Sequence, residues 1–268
     1  MALQGNNQAI SLSDIQTEFG GSGAISMSEY YRGGGLTSNN NTGIPASGTI
    51  DMSDFYSTKF AWEVTYEIIG AGGGGGSGWI TSNNGTAGGN STLTYTDAAT
   101  NTSTTVTSNG GAGGRGGIQT GWGTGSNSYY GSGGAGGANS DSSNQTAGSP
   151  APSTSYGAGG GGGGANPFAS RNGGEGGYAG GTNGTSYRVY AWNSGSYITR
   201  YVGMPSTGTF YLDRSGTASI VVGAKGTNIS PDAGTDGAAG ANGYCKLTVN
   251  GTDTEYTSAG SHTYTAPS

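Results

Sequence analysis

Six glycine-dense runs, 70–78, 110–117, 131–137, 157–164, 173–181 and 234–243, restrict what this chain can fold into more than any other feature. Glycine spread without order reads as a flexible linker, because it loses more backbone freedom on ordering than any other residue. Here the glycines keep a period. Gly234, Gly237, Gly240 and Gly243 recur at every third position, and Gly173, Gly174, Gly176, Gly177, Gly180 and Gly181 nearly do so. Three residues per turn is the repeat of the extended polyproline-type helix, which has no internal hydrogen bonds and must find partners for its N–H and C=O groups. Without side chains such rods can pack side by side and bond laterally. At about 3.1 Å per residue, a nine-residue run reaches roughly 28 Å. The 17 Tyr, 4 Trp and 5 Phe also exceed what a Gly/Ser linker carries. An ordered bundle of glycine rods is the expectation.

If each run crosses the domain once, the long joins 79–109, 138–156 and 182–233 fall at one end and the short joins at the other. Binding is expected at the long-join end. Trp79, Tyr95, Tyr156, Tyr187, Tyr190, Trp192, Tyr197, Tyr201, Phe210 and Tyr211 lie in these joins, with Arg188 and Arg200 among them. Tyr and Trp give large contact area at low entropic cost and are enriched in binding hot spots. The plainer alternative is that they cover the glycine layers. The stretch 187–201 is the leading candidate surface. Trp122, Tyr129 and Tyr130 fall in a short join and are expected at the opposite end, against the N-terminal segment.

Only 31% of residues are hydrophobic and 9% charged, so backbone hydrogen bonds, each contributing on the order of 1 kcal/mol net, and aromatic packing are expected to replace much of a conventional core. A formal charge of −6 opposes nucleic-acid binding, which needs a basic stripe against phosphate. No apolar run approaches the ~20 residues of a membrane span, and MALQGNNQAI lacks the basic head and apolar stretch of a signal peptide. The single Cys245 cannot form an intramolecular disulfide and is expected as a buried apolar residue.

The first sixty residues differ. Ile10-Ser11-Leu12-Ser13-Asp14-Ile15, Ile25-Ser26-Met27-Ser28-Glu29-Tyr30 and Ile50-Asp51-Met52-Ser53-Asp54-Phe55 each place Ser or Asp at a helix N-cap and an acid three positions later, a capping-box pattern. The flanking apolar residues form hydrophobic staples: Ile10 with Ile15, Ile25 with Tyr30, Ile50 with Phe55. Glycines at 20–21 and 33–35 stop these helices after a turn or two. Residues 1–60 therefore read as a module of capped mini-helices suited to docking on a partner, or simply to capping the glycine-rich domain.

From residue 61 the pattern turns to strand. The segment 61–69 nearly alternates and feeds the first glycine run. Further strands are expected at 92–96, 103–107, 187–192, 196–202, 209–212, 218–222 and 244–249, with Asn250-Gly251 turning into a last strand over 252–265. The fold class is mostly β with a polyglycine II helix bundle, a small N-terminal module of capped helices, and little helix after residue 60. The two units are 1–60 and 61–268.

The strand-to-glycine sequence YEIIGAGGGGG at 66–76, SIVVGAKG at 219–226 and GANGYCKLTV at 240–249 resemble the glycine-rich domains of bacteriophage tail-fibre and receptor-binding proteins. The N-terminal ISLSDI and IDMSDF units are similar to segments common in phage tail proteins. In design the chain resembles the T-even-type tail-fibre adhesins, from which it differs in its N-terminal units, its fewer glycine runs and its C-terminal hairpin. The resemblance implies an N-terminal domain that attaches to the fibre tip, a sandwich of polyglycine helices, and distal loops that touch a bacterial surface receptor. It implies other tail or fibre proteins as partners of Ile10, Ile15, Ile25, Tyr30, Ile50 and Phe55. It implies a bacterial outer-surface receptor, protein or polysaccharide, for Trp79, Tyr95, Tyr156, Tyr187, Arg188, Tyr190, Trp192, Tyr197, Arg200, Tyr201 and Tyr211. One copy or a homotrimer on the fibre are both open. The expected location is the virion, after synthesis in the host cytoplasm.

Chemistry finds little material. His262 has no nucleophile pattern beside it. Asp213 with Glu175 is an example of a carboxylate pair for a glycosidase acid and base, yet nothing in the sequence brings them together. Asp141, Asp232 and Asp236 sit in turn-rich segments without a calcium-loop signature, and no Gly-Lys-Ser/Thr follows a glycine run. No enzyme, cofactor or metal is expected. A purely structural virion protein is the alternative function, and an ice-binding glycine-rod protein ranks third.

Overall fold

The computed structural model describes residues 3–5, 8–76, 84–114, 156–160, 180–191, 196–228 and 237–268. Helix is confined to the first sixty of these: α1 (Leu12–Phe19) and two single-turn 3-10 helices, Met27–Tyr30 and Met52–Phe55. Ten strands follow: β1 (Ala61–Ile69), β2 (Ser91–Asp97), β3 (Thr102–Ser108), β4 (Thr182–Ala191), β5 (Ser196–Met204), β6 (Ser206–Asp213), β7 (Thr217–Val222), β8 (Tyr244–Val249), β9 (Thr252–Tyr256) and β10 (Gly260–Thr265). The fold is mostly β.

Eight of the strands make two four-stranded antiparallel sheets, in the orders β6-β1-β8-β9 and β10-β7-β2-β3. The sequence dictates which faces meet. In β7 every second residue is buried, Ala218, Ile220 and Val222, as the two-residue period of a half-buried strand requires. Val64, Ile68, Phe210, Leu212, Cys245 and Leu247 of one sheet close on Leu93, Tyr95, Ala218, Ile220 and Val222 of the other. The chain thus does build a conventional apolar core, despite its composition, because its few aliphatic residues are concentrated on the inward positions of strands.

The C-terminal segment departs from the expected single strand over 252–265. It breaks at 257–259, so that β9 pairs with β8 in one sheet and β10 with β7 in the other. Gly260 at φ +130° accepts the backbone turn of this crossing.

At one end of the sandwich, β1, β3 and β7 run out into 70–76, 109–114 and 223–228, while 84–90 and 237–243 run in to β2 and β8. These segments pair through their backbones. Within 70–76, the N–H groups of Ala71 and Gly74 donate to Gly89 and Thr86, and those of Gly72 and Gly75 donate to Ala241 and Ala238, all at 2.8–2.9 Å. The carbonyls of Ala71 and Gly74 accept from Gly111 and Gly114. Each neighbour is met every third residue. Gly226 and Gly160 donate to Gly72 and Gly73, so 70–76 bonds to five surrounding segments.

Two of these segments, 84–90 and 223–228, are not glycine-dense; their signal is a pair of glycines three apart, Gly85 with Gly88 and Gly223 with Gly226. Their presence changes the expected layout. The long join 79–109 contains the return segment 84–90 and the β2–β3 hairpin, and the join 182–233 contains β4 to β7 and the outgoing segment 223–228. The described parts of both joins therefore include sandwich strands on the same side of the glycine segments as the N-terminal helices, rather than forming a free opposite end.

A methyl group has no room between these backbones: a Cβ on Gly240 would overlap the carbonyl of Gly72, and one on Gly72 that of Ala158. Gly240→Ala is expected to destabilise by about 3 kcal/mol, the upper range for overpacking, lowering Tm by roughly 6–12 °C. Gly35→Ala, where nothing lies within 4 Å, is the control and leaves Tm unchanged. Equal Tm values for the two variants in thermal unfolding would refute this packing.

Candidate functional site

The N-terminal candidates divide by depth. Ser11 N donates to Asp14 Oδ2 at 2.7 Å, Ser26 N to Glu29 Oε1 at 3.0 Å and Asp51 N to Asp54 Oδ2 at 2.8 Å, which fixes the start of each helix. The staples then turn Ile15, Tyr30 and Phe55 inward, where they are fully buried with Phe19 and Ile44. The Phe19, Tyr30 and Phe55 rings meet edge to face, with centroids 5.9–6.4 Å apart. These three candidates form the interior of the helical segment and present no surface to a partner. Ile10, Ile25 and Ile50 pack on this core and are half-buried, so they retain the exposed part of the apolar surface.

The helical segment is fastened to the sandwich along residues 59–63. Phe60 N donates to Glu18 Oε1 at 3.0 Å, Lys59 Nζ lies 2.9 Å from Asp213 Oδ1, and the Arg214 guanidinium sits 4.7 Å above the Phe60 ring. Asp213 is thereby engaged with a lysine, and its supposed carboxylate partner Glu175 lies outside the described residues.

The receptor candidates also separate. Tyr95 is buried in β2 and stacked on Phe210, with ring centroids 3.8 Å apart; β2 brings it inward because it shares a face with Leu93. Tyr211, on β6, is half-buried and donates through its hydroxyl to Glu63 Oε2 at 3.1 Å. Burial first, and then the Glu63 charge, raises its pKa. Tyr156 is half-buried and stacks on Tyr244 at 4.9 Å. Tyr95 and Tyr156 spend their rings on stacking contacts at the sandwich, and Tyr211 spends its hydroxyl on the exposed Glu63. The strands expected at 92–96 and 209–212 cover Tyr95 and Tyr211, but their place in a join did not say that these strands belong to the sandwich.

Tyr187, Arg188, Tyr190, Tyr197, Arg200 and Tyr201 lie on β4 and β5, which pair with each other and with no other described strand. The register sets Tyr187 opposite Arg200, Arg188 opposite Thr199 and Tyr190 opposite Tyr197. This two-stranded ribbon is rooted where the glycine segments begin, since Gly181 N donates to the Asn109 carbonyl at 2.6 Å. Trp79, Trp122, Tyr129, Tyr130 and Trp192 lie outside the described residues, as do Asp141, Asp232 and Asp236.

With this geometry in hand, comparison with known proteins adds no relative. No family model, no curated protein and no solved structure matches this chain. Among the described residues, no helix is long and apolar enough to cross a membrane, and no three His, Cys, Asp or Glu side chains are grouped to hold a metal. His262 Nε2 lies 2.8 Å from the Ser258 carbonyl.

Burial pushes the Cys245 thiol up to about 12. The thiolate is the reactive form, so native protein at mildly alkaline pH is expected to resist a thiol-specific reagent and to react fully once unfolded; rapid labelling of the native form would contradict the core placement. Hydrogen bonds from the Ser11 side chain and backbone hold the Asp14 carboxyl below its ordinary value of 3.8. A carboxylate favoured by folding contributes fully above that ordinary value and loses its contribution as the pH falls below it. Asp14→Asn is expected to flatten the acid limb of a Tm profile recorded between about pH 2 and 5. An unchanged limb would mean that the box does not couple to pH.

Proposed function

We propose that this chain is a bacteriophage tail-fibre adhesin whose glycine segments are polyglycine II helices. The observation that carries the reading is the three-residue repeat of lateral hydrogen bonds around 70–76, where Ala71/Gly74 and Gly72/Gly75 address different neighbours. A three-fold helix directs its N–H groups outward in three directions, which is what a bundle of such rods needs. Cross-linked in this way, the rods make a stiff body on which recognition elements keep their positions. In this reading residues 1–60 dock to other tail or fibre proteins through the surface around Ile10, Ile25 and Ile50, and 61–268 carry the receptor surface.

The β4–β5 ribbon is the receptor-binding element. It is unpaired beyond itself among the described strands and carries Tyr187, Arg188, Tyr190, Tyr197, Arg200 and Tyr201. Its receptor is a protein or polysaccharide of the bacterial outer surface. The stacking of Tyr95 on Phe210 and of Tyr156 on Tyr244 favours a second reading, a structural virion protein without receptor contact, because it takes up two of the aromatic residues an adhesin would expose.

Fluorescently labelled protein and a variant with 183–203 replaced by a short turn separate the two readings on a panel of Gram-negative cells. Selective binding by the intact chain, lost in a variant of equal Tm, is the expected result. Absence of binding by folded intact protein across a panel containing the host would sink the adhesin reading.

A further inference from the structure

At the Ala61 end of β1, a cleft of about 440 Å³ opens between the 33–39 loop and the sandwich, within the size range of small-molecule sites. The ribbon is rooted at the other end of β1, about 26 Å away at 3.3 Å per residue. We propose that this cleft binds a short neutral saccharide, a site separate from the ribbon and independent of the adhesin reading.

The lining carries the chemistry. Its working residues are Thr37, Asn39, Phe60, Trp62, Glu63 and Arg214. Phe60 and Trp62 meet edge to face, centroids 4.8 Å apart and planes at 85°. The Arg214 guanidinium covers Phe60, which leaves half-exposed Trp62 as the aromatic wall. The indole is held in place, since its Nε1 donates to the Pro267 carbonyl at 2.8 Å. An immobilised indole offers a flat apolar surface, and the axial C–H face of a pyranose is the ligand surface that matches it.

The other polar groups lining the cleft are suited to hydroxyls. Glu63 Oε2 accepts from the Tyr211 hydroxyl at 3.1 Å and from Asn39 Nδ2 at 3.4 Å, so the carboxylate and the amide are oriented together at the rim. A carboxylate accepts from sugar hydroxyls, and an amide both donates and accepts. Thr37 is 1% exposed and its Oγ1 has no hydrogen-bond partner. A buried hydroxyl left unpaired is costly, and in a residue lining a cleft it marks a place where a ligand group completes the bonding after a small side-chain rotation.

Charge narrows the ligand class. Arg214 and Glu63 are the two charged side chains of the lining and are opposite in sign, so the side chains of the cleft carry no net charge with which to select a phosphate, a nucleotide or a basic peptide. An aromatic wall, an oriented carboxylate and amide, an unpaired hydroxyl and balanced side-chain charge together fit an uncharged, hydroxyl-rich ligand with one apolar face.

The test uses the full chain and three neutral disaccharides, maltose, lactose and N,N′-diacetylchitobiose, followed by saturation-transfer NMR and by titration calorimetry. At least one is expected to bind in the millimolar range and to receive saturation on its ring C–H protons. Asn39→Ala and the near-isosteric Glu63→Gln are expected to weaken it about tenfold or more each, the loss of a hydrogen bond to an oriented polar group, with wild-type Tm. The ribbon-shortened variant retains the binding, which separates this site from the receptor surface. No binding of any of the three, or binding indifferent to both substitutions, overturns the proposal. So does capture of a short extended peptide by the same cleft in place of the saccharides, since that would make it a seat for a partner chain.

Discussion

Close approach of bare backbones is the constraint on which the glycine part of the molecule depends. Eight lateral bonds issue from or end on the short stretch 71–75, and each needs the neighbouring chain at hydrogen-bond distance with no Cβ between them. A side chain at Gly72, Gly73 or Gly74 would overlap a carbonyl of another segment. Glycine is therefore selected here for what it lacks, and the entropic cost of ordering it is offset by bonds that an extended chain cannot make within itself.

The sandwich solves a different problem by different means. Where side chains alternate inward, as in β7, apolar burial holds two sheets together in the usual way. The strands also set the spacing of the glycine layer, since β1, β3 and β7 deliver their glycine segments, and β2 and β8 receive theirs, at one end. Ser91 and Ser108 stand at this junction: buried, they take the N–H groups of Gly223 and Gly70 where the sheet ladder gives way to the glycine segments. A polar side chain is tolerated in the interior there because the change of hydrogen-bonding scheme leaves backbone donors to satisfy.

At the opposite end, residues 59–63 join the helical core to the sandwich through an ion pair, a cation on an aromatic ring and a carboxylate on a backbone N–H. The adhesin reading takes this end as the side of attachment and the β4–β5 ribbon as the side of recognition. In that reading the sandwich, which lies between the helical segment and the root of the ribbon, keeps the two apart.

Much was legible from the residues alone. The three Ile-Ser/Asp units announce capping boxes and staples because both depend on contacts three to five residues apart, and local contacts are written in local sequence. The inward faces of β2, β7 and β8 follow from alternation for the same reason. Pairing between distant segments was not legible. The segments 84–90 and 223–228 join the glycine layer with only two glycines each at the critical spacing, and Thr86 and Thr227 bond the two segments to each other; composition does not register this. Tyr95 and Tyr211 fall in segments legible as strands, yet only tertiary structure placed them, with Tyr156, against Phe210, Glu63 and Tyr244. The sequence by itself determined the kinds of element, through propensity, period and capping. Only the tertiary structure decided which end of the molecule each join occupies, because that depends on how many times the chain crosses, and a crossing is defined by a partner far away in sequence.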